Sequence, residues 1–572
     1  MKRKTVKSFI KSFAFLALLL SLTTEAFACT GIYVGSEASA DGTYIIARSN
    51  DYQDIWPNYV DIVERVENEP GRTMAVDNGD TVFAPLPDTT YRYTATPWTD
   101  SGKDYNGLER DGAVCANEYG VSMTMSITAF ANERALAADP LIENGLTEFT
   151  ANELVICQSK TAREAVRVLL SLIDTYGSSE SNIAMISDRS EVWYVEMYTG
   201  HQYAAVKMPA DAVSVFGNEF NLVYLSEYEE SVASPELEYL AKESGFAVCG
   251  ENGELNIMAT YSMPFFEYSH MRTWNGHRLM APSAYGDYDA EKVYPLAFHA
   301  DKKVSVTDVF SLLRNRFEGT VYSPDDTGRC DMRVIGTDTA LSVHAVQTYP
   351  NLPADMAVVT WESSGPAAYG VFVPVSNCST AVSSAYGTNQ PYSEFGNFDT
   401  EHYAYYLFKG MNTLCVTDAE TYGRPVQEYW KTAEAKMTEG MAKVLKTACE
   451  NRDKSEKDAA EYVTAYCVSM QEAAFRDGQK LFNDLSWLMA KNSNTMRKGI
   501  NPETHEVLDE NKPLTVLEVN EDASKYDLVP EYTNAASMWS WIIPTAVIVA
   551  AALTFIIIKC RKSRNKPSEN LT

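Results

Sequence analysis

The tripeptide Ala26-Phe27-Ala28 stands directly before Cys29, and it constrains the fold more than any other stretch of the chain. Upstream, Lys2, Arg3, Lys4, Lys7 and Lys11 precede an apolar run over about 13–22. That is the layout of a secretory signal, and A-x-A is the pattern that signal peptidase cuts. Segment 1–28 is therefore expected to be removed, leaving Cys29 as the first residue of the mature chain. A terminal cysteine carries a thiol and a free α-amine on one residue, a nucleophile with its own base. The competing reading is a lipoprotein anchor, in which the amine is blocked. Bulky Phe27, and Ala26 where such signals usually have leucine, depart from that pattern.

The other end carries a second targeting feature. Segment 538–558 is uncharged and long enough to span a bilayer. Trp539 and Trp541 sit at its entrance, and Lys559, Arg561, Lys562, Arg564 and Lys566 follow as a stop-transfer cluster. The expectation is a single-pass protein of the cell membrane with its body outside. A net charge of −29 argues against nucleic acid and against adhesion to anionic lipid. Setting aside Cys29 and Cys560 leaves eight of the ten cysteines, an even number in a compartment that permits disulfides, but their scatter supports no pairing. CxxC and HExxH are absent and the seven histidines lack ligand spacing, so neither metal nor cofactor is expected.

Between these ends the pattern is α+β. A hairpin is expected at 32–34 and 44–47 around Asp41-Gly42, and 121–128 alternates with the period of a strand. Thr161-Ala162-Arg163-Glu164 reads as a capping box opening a helix. Strands follow at 183–186 and 192–197, and two long amphipathic helices at about 429–452 and 456–489. The expected division is a signal at 1–28, a hydrolase core at 29–423 and a helical extension at 424–500. An acidic stalk at 501–537, the span at 538–558 and a basic tail at 559–572 complete it.

A terminal thiol needs a charge that favours thiolate, a partner for its amine and donors for an oxyanion. Arg48 and Asp51, at the end of the second hairpin strand, return beside Cys29 and fit the first two needs. The alternative is a strand-end ion pair. With Cys29-Thr30, Arg48-Ser49-Asn50-Asp51, Asn117-Glu118-Tyr119-Gly120-Val121 and the stretch from Gly200 to Gly217-Asn218, the chain resembles the dipeptidase A family. That family comprises N-terminal-nucleophile cysteine peptidases related to penicillin V acylase and bile salt hydrolase. The resemblance implies the four-layer αββα fold, Cys29 as nucleophile with Arg48 and Asp51 beside it, and Asn218 in the oxyanion hole. It also implies that Asn117 contacts substrate or oxyanion. A further arginine, Arg272 or Arg278, is a candidate for substrate binding. The substrates expected are short peptides, most of all dipeptides. N-acyl amides are the alternative within the same chemistry, and a non-enzymatic surface-anchored binding protein is the alternative outside it.

Overall fold

A computed structural model describes residues 29–532, apart from 53–54, 99–111, 126, 330–331, 391–396, 497–498, 501–502, 505–506 and 509–513. The expected signal at 1–28, span at 538–558 and tail at 559–572 lie outside the described residues. Among the described residues no helix is long and apolar enough to cross a membrane.

The expected hairpin forms strands β1 (Gly31–Val34) and β2 (Tyr44–Asp51), paired antiparallel with Gly31 opposite Arg48. They lie inside a six-stranded antiparallel sheet whose order is Val213–Phe216, β1, β2, Ala340–Thr348, Val358–Ser364, Val373–Ser376. A second sheet of eight strands is built around Asn182–Ser187 and Val192–Met197. Strand periodicity sends alternate residues to opposite faces, and the buried clusters follow it. Tyr33, Ile46, Val346 and Val358 of the first sheet meet Ala116, Ile183, Met185 and Tyr194 of the second, forming an inner core that also contains Cys29. Ile32, Val34, Ile45, Ala47 and Trp361 point the other way, into a core shared with outer helices. Met123, Ile186, Trp193 and Val195 likewise pack under the helices Glu148–Ile156 and Ala162–Tyr176. The layer order is helix, sheet, sheet, helix, as the resemblance implied.

Local signals predict some elements well. Thr161 caps its helix by accepting from the Glu164 backbone N–H at 3.1 Å, while the Glu164 carboxylate accepts from Lys160 N. The strand expected at 121–128 is shorter, Ser122–Thr124. Met125 still faces the outer core but Ile127 faces the inner one, so the period breaks after the ladder ends.

Two boundaries change. The expected extension is the outer helical layer itself. Helices Arg424–Arg452 and Glu456–Met496 share one apolar cluster with β1, β2 and Trp361 through Trp430, Met437, Tyr466 and Leu485. Glu434 forms a buried ion pair with Arg314 (Nη1–Oε2 2.8 Å) and accepts from Phe372 N at 2.8 Å. The expected stalk is also corrected over 514–532. Leu517 and Tyr526 are buried in that cluster, and Leu517 N donates to Thr421 O at 3.0 Å. The Tyr526 hydroxyl donates to Asp477 at 2.9 Å, and that of Tyr462 to Pro530 O at 2.8 Å. Acidic composition hid two apolar anchors spaced too far apart to show a period. Leu517→Ala and Tyr526→Ala should each cost about 2–4 kcal/mol in urea denaturation, with 514–532 resistant to limited proteolysis. Unchanged stability in both would restore a free stalk.

Candidate active site

Cys29 enters the inner core because β1 is a central strand, hydrogen-bonded on both edges. Gly31 makes this possible: a Cβ there would lie 2.4 Å from the Phe216 ring. The thiol is fully buried and accepts from Arg48 Nη1 at 3.5 Å. Arg48 is in turn held by Asn50 Oδ1 (3.2 Å), Ala113 O (2.9 Å) and Thr124 Oγ1 (3.0 Å). The Thr124 hydroxyl also meets His344 Nε2 at 2.9 Å. His344 pairs with Arg48 across the ladder, and burial together with the Arg48 charge keeps its imidazole neutral.

Around the backbone of Cys29 a second arginine closes. Arg272, on the helix Glu267–Met280, is fully buried and donates through Nη1 to Cys29 O (2.6 Å) and Thr30 Oγ1 (2.9 Å). Its Nη2 donates to Asn218 Oδ1 at 2.7 Å. The helix reaches this close because residue 217 is glycine, where a Cβ would sit 2.6 Å from Ser269 Oγ. Asn218 donates one amide proton to Thr128 O (2.7 Å), and among the described residues the other has no acceptor. It lines a recess with Phe130, Glu219, Met263, Phe265 and Phe266. Arg278 instead hydrogen-bonds Asn275 and lies over the Trp274 ring.

Asp51 ends β2, fully buried. Its Oδ2 accepts from Ser49 Oγ at 3.2 Å, and Ser49 Oγ accepts from Thr30 N at 3.0 Å. Among the described residues its Oδ1 has no partner. Burial raises its pKa to about 6, against the opposing charges of Arg333, Arg272 and Arg48 and the Ser49 hydrogen bond. The Cys29 thiol is also pushed above its usual range, first by burial; the Arg48 charge opposes this and the Asp51 charge adds to it.

The structure therefore brings Cys29, Arg48, Asp51, Asn218 and Arg272 together, and leaves Asn117 out. Both amide protons of Asn117 go to carbonyls, Ile156 O (2.9 Å) and Ser159 O (2.7 Å), and its Oδ1 accepts from Tyr119 N and Val121 N. It organises a turn and has no donor left for an oxyanion. Thr30, Ser49, Thr124 and His344 were missed. Ser49 lay inside the quoted Arg48–Asp51 run, whereas Thr124 and His344 carry no local signal, because only the sheet-on-sheet packing and the Ala340–Thr348 ladder deliver them.

A buried cysteine at the head of a central strand between two sheets, faced by one arginine and clamped by another, defines a site for thiol chemistry. Residues 28–432 match the model of peptidase family C69, and the chain belongs to that family. Similar proteins include a probable dipeptidase B of Streptococcus pyogenes serotype M1, 28% identical over 82% of this chain and 94% of the relative. A probable dipeptidase of Latilactobacillus sakei is 29% identical over 77% and 91%. Among solved structures, a variant of conjugated bile acid hydrolase from Clostridium perfringens aligns with a TM-score of 0.27 at 11% identity, covering 59% of this chain and 89% of that one.

The raised Asp51 pKa gives a signed expectation for the unprocessed chain. An unfolded aspartate ionises near 3.8, the native one near 6, so between these values the native state binds more protons and stability falls as pH rises. The cost, on the order of 3 kcal/mol, is complete above pH 6. Asp51→Asn should raise the melting temperature at pH 7–8 and leave it unchanged near pH 3. A loss of stability at pH 7 would show that ionised Asp51 is net stabilising.

Proposed function

We propose that the mature chain is a dipeptidase that hydrolyses short peptides through a thioester on Cys29. The observation that carries the reading is the buried Cys29 thiol 3.5 Å from the Arg48 guanidinium at the head of β1, in a chain of peptidase family C69. The dipeptidase names of the relatives support the substrate class. While a residue precedes Cys29, burial holds the thiol protonated and no amine exists to relieve it. Cleavage after Ala28 creates that amine, whose ordinary pKa of roughly 7.7–8.0 suits a base at neutral pH. The amine takes the thiol proton and the thiolate attacks the peptide carbonyl. The spare amide proton of Asn218 meets the oxyanion, and the resulting ammonium protonates the leaving amine. Water then hydrolyses the thioester. Asp51, with its open Oδ1, accepts from the amine, and Arg272 fixes both Cys29 and Asn218.

Cys29→Ala should lower dipeptide turnover by roughly 10³-fold or more. One extra residue before Cys29 should abolish activity while leaving the circular dichroism unchanged. The panel for both is unblocked dipeptides, longer peptides, conjugated bile acids and penicillin V. Cleavage confined to the acyl amides moves the assignment to an acylase, and no turnover of anything favours a binding protein.

The signal at 1–28 and the span at 538–558 support a body tethered outside the cell membrane, converting peptides to amino acids at the surface. Protease added to intact cells should then remove the body and spare the tail at 559–572. Release of full-length active protein by a high-salt wash would rule out a spanning helix, because salt weakens surface charge contacts and not apolar insertion.

A further inference from the structure

One cation at this site has no task in the chemistry above. Arg333 is half-buried, and among the described residues it has neither hydrogen-bond nor ion-pair partner. The more deeply buried arginines are all engaged: Arg48 and Arg272 as described, Arg314 by Glu434, Arg316 by Asp325 and Asp338. Its place is set by its neighbours in the chain. Val334 and Met332 pack with Met271 and Trp274, on the helix that carries Arg272. Its charge acts on both groups that frame Cys29: it is the foremost charge favouring ionised Asp51, and it opposes the charge of Arg272.

The charges of Arg48, Arg272 and Arg333 act on Cys29 or its immediate partners. Asp51 and Glu148 are the carboxylates whose charge reaches the thiol, and Glu148 already accepts from Asn182. Glu219 is already occupied by Thr273 and His270. Two guanidinium groups that repel each other in a partly desolvated place are relieved by an anion set between them. A free dipeptide brings one. Its terminal carboxylate lies a single residue beyond the scissile carbonyl, about 3.8 Å from Cα to Cα, so its anchor has to stand close to the thiol.

We infer that Arg333 is the specificity residue that binds the terminal carboxylate of the peptide. It measures one residue beyond the bond to be cut. A guanidinium offers paired donors that match a carboxylate in two parallel hydrogen bonds, and its charge raises the local concentration of anionic peptide around a protein that is itself strongly acidic. A tripeptide cut after its first residue carries its carboxylate one residue too far, and a dipeptide amide has no charge to offer.

The inference rests on the dipeptidase reading, and the experiment separates the two. Wild type, Arg333→Ala, Arg333→Gln and Arg333→Lys are assayed on a dipeptide, its C-terminal amide and the matching tripeptide. Wild type should favour the free acid over the amide by roughly 10–100-fold in kcat/KM, expressed mostly in KM. Alanine and glutamine should bring the acid-to-amide ratio to about one, and lysine should retain part of it. The dipeptide advantage over the tripeptide should shrink in parallel. No acid preference in wild type, or a preference that survives in the alanine and glutamine variants, overturns the role of Arg333 and leaves the peptidase intact. Failure of wild type on every peptide overturns the dipeptidase reading itself.

Discussion

The buried guanidinium of Arg272 is the contact on which the geometry of the site depends. It has left water entirely, and the loss of solvation brings its pKa down to about 10 with the charge of Arg333 adding to the effect. Such a group stays charged inside a protein only when its donors are met by well-placed acceptors. Here the acceptors are Cys29 O, Thr30 Oγ1, Asn218 Oδ1 and Tyr268 O. One side chain therefore joins the start of β1, the second residue after strand Val213–Phe216 and the helix Glu267–Met280. Three segments far apart in sequence are held in one register.

The same desolvation explains why the thiol and Asp51 form a poised pair. Burial disfavours thiolate and carboxylate alike, and the nearby arginines return part of that cost. The unprocessed chain thus holds a carboxylate with an open oxygen and a thiol that keeps its proton. The proposed appearance of an α-ammonium at Cys29 would answer both, supplying a donor for the one and a base for the other. Maturation of the proposed kind would change the electrostatics of the pocket.

Rigidity comes from the layers. The inner core between the sheets surrounds Cys29, and each sheet is backed by its own helices. Because the outer layer includes the helices Arg424–Arg452 and Glu456–Met496 as well as Leu517 and Tyr526, the sheet that carries Cys29 is stabilised by residues that lie beyond the matched family region of 28–432. The buried Arg314–Glu434 pair ties that layer to the loop before Phe372.

Sequence alone determined what short-range chemistry can encode. The hairpin that returns Arg48 and Asp51, the Thr161 cap and the strands at 183–186 and 192–197 are all read from residues a few positions apart. Cys29, Arg48, Asp51 and Asn218 followed from those patterns and from the family resemblance they carried. Tertiary structure decided the rest. It chose Arg272 over Arg278, because a helix presents one of them to the sheet only after Gly217 has let that helix approach. It withdrew Asn117, whose four hydrogen bonds are met by a turn and a helix end. It added Thr124 and His344, and drew Leu517 and Tyr526 into the core. Each of those outcomes depends on burial and on partners tens to hundreds of residues away, and local periodicity holds no record of either.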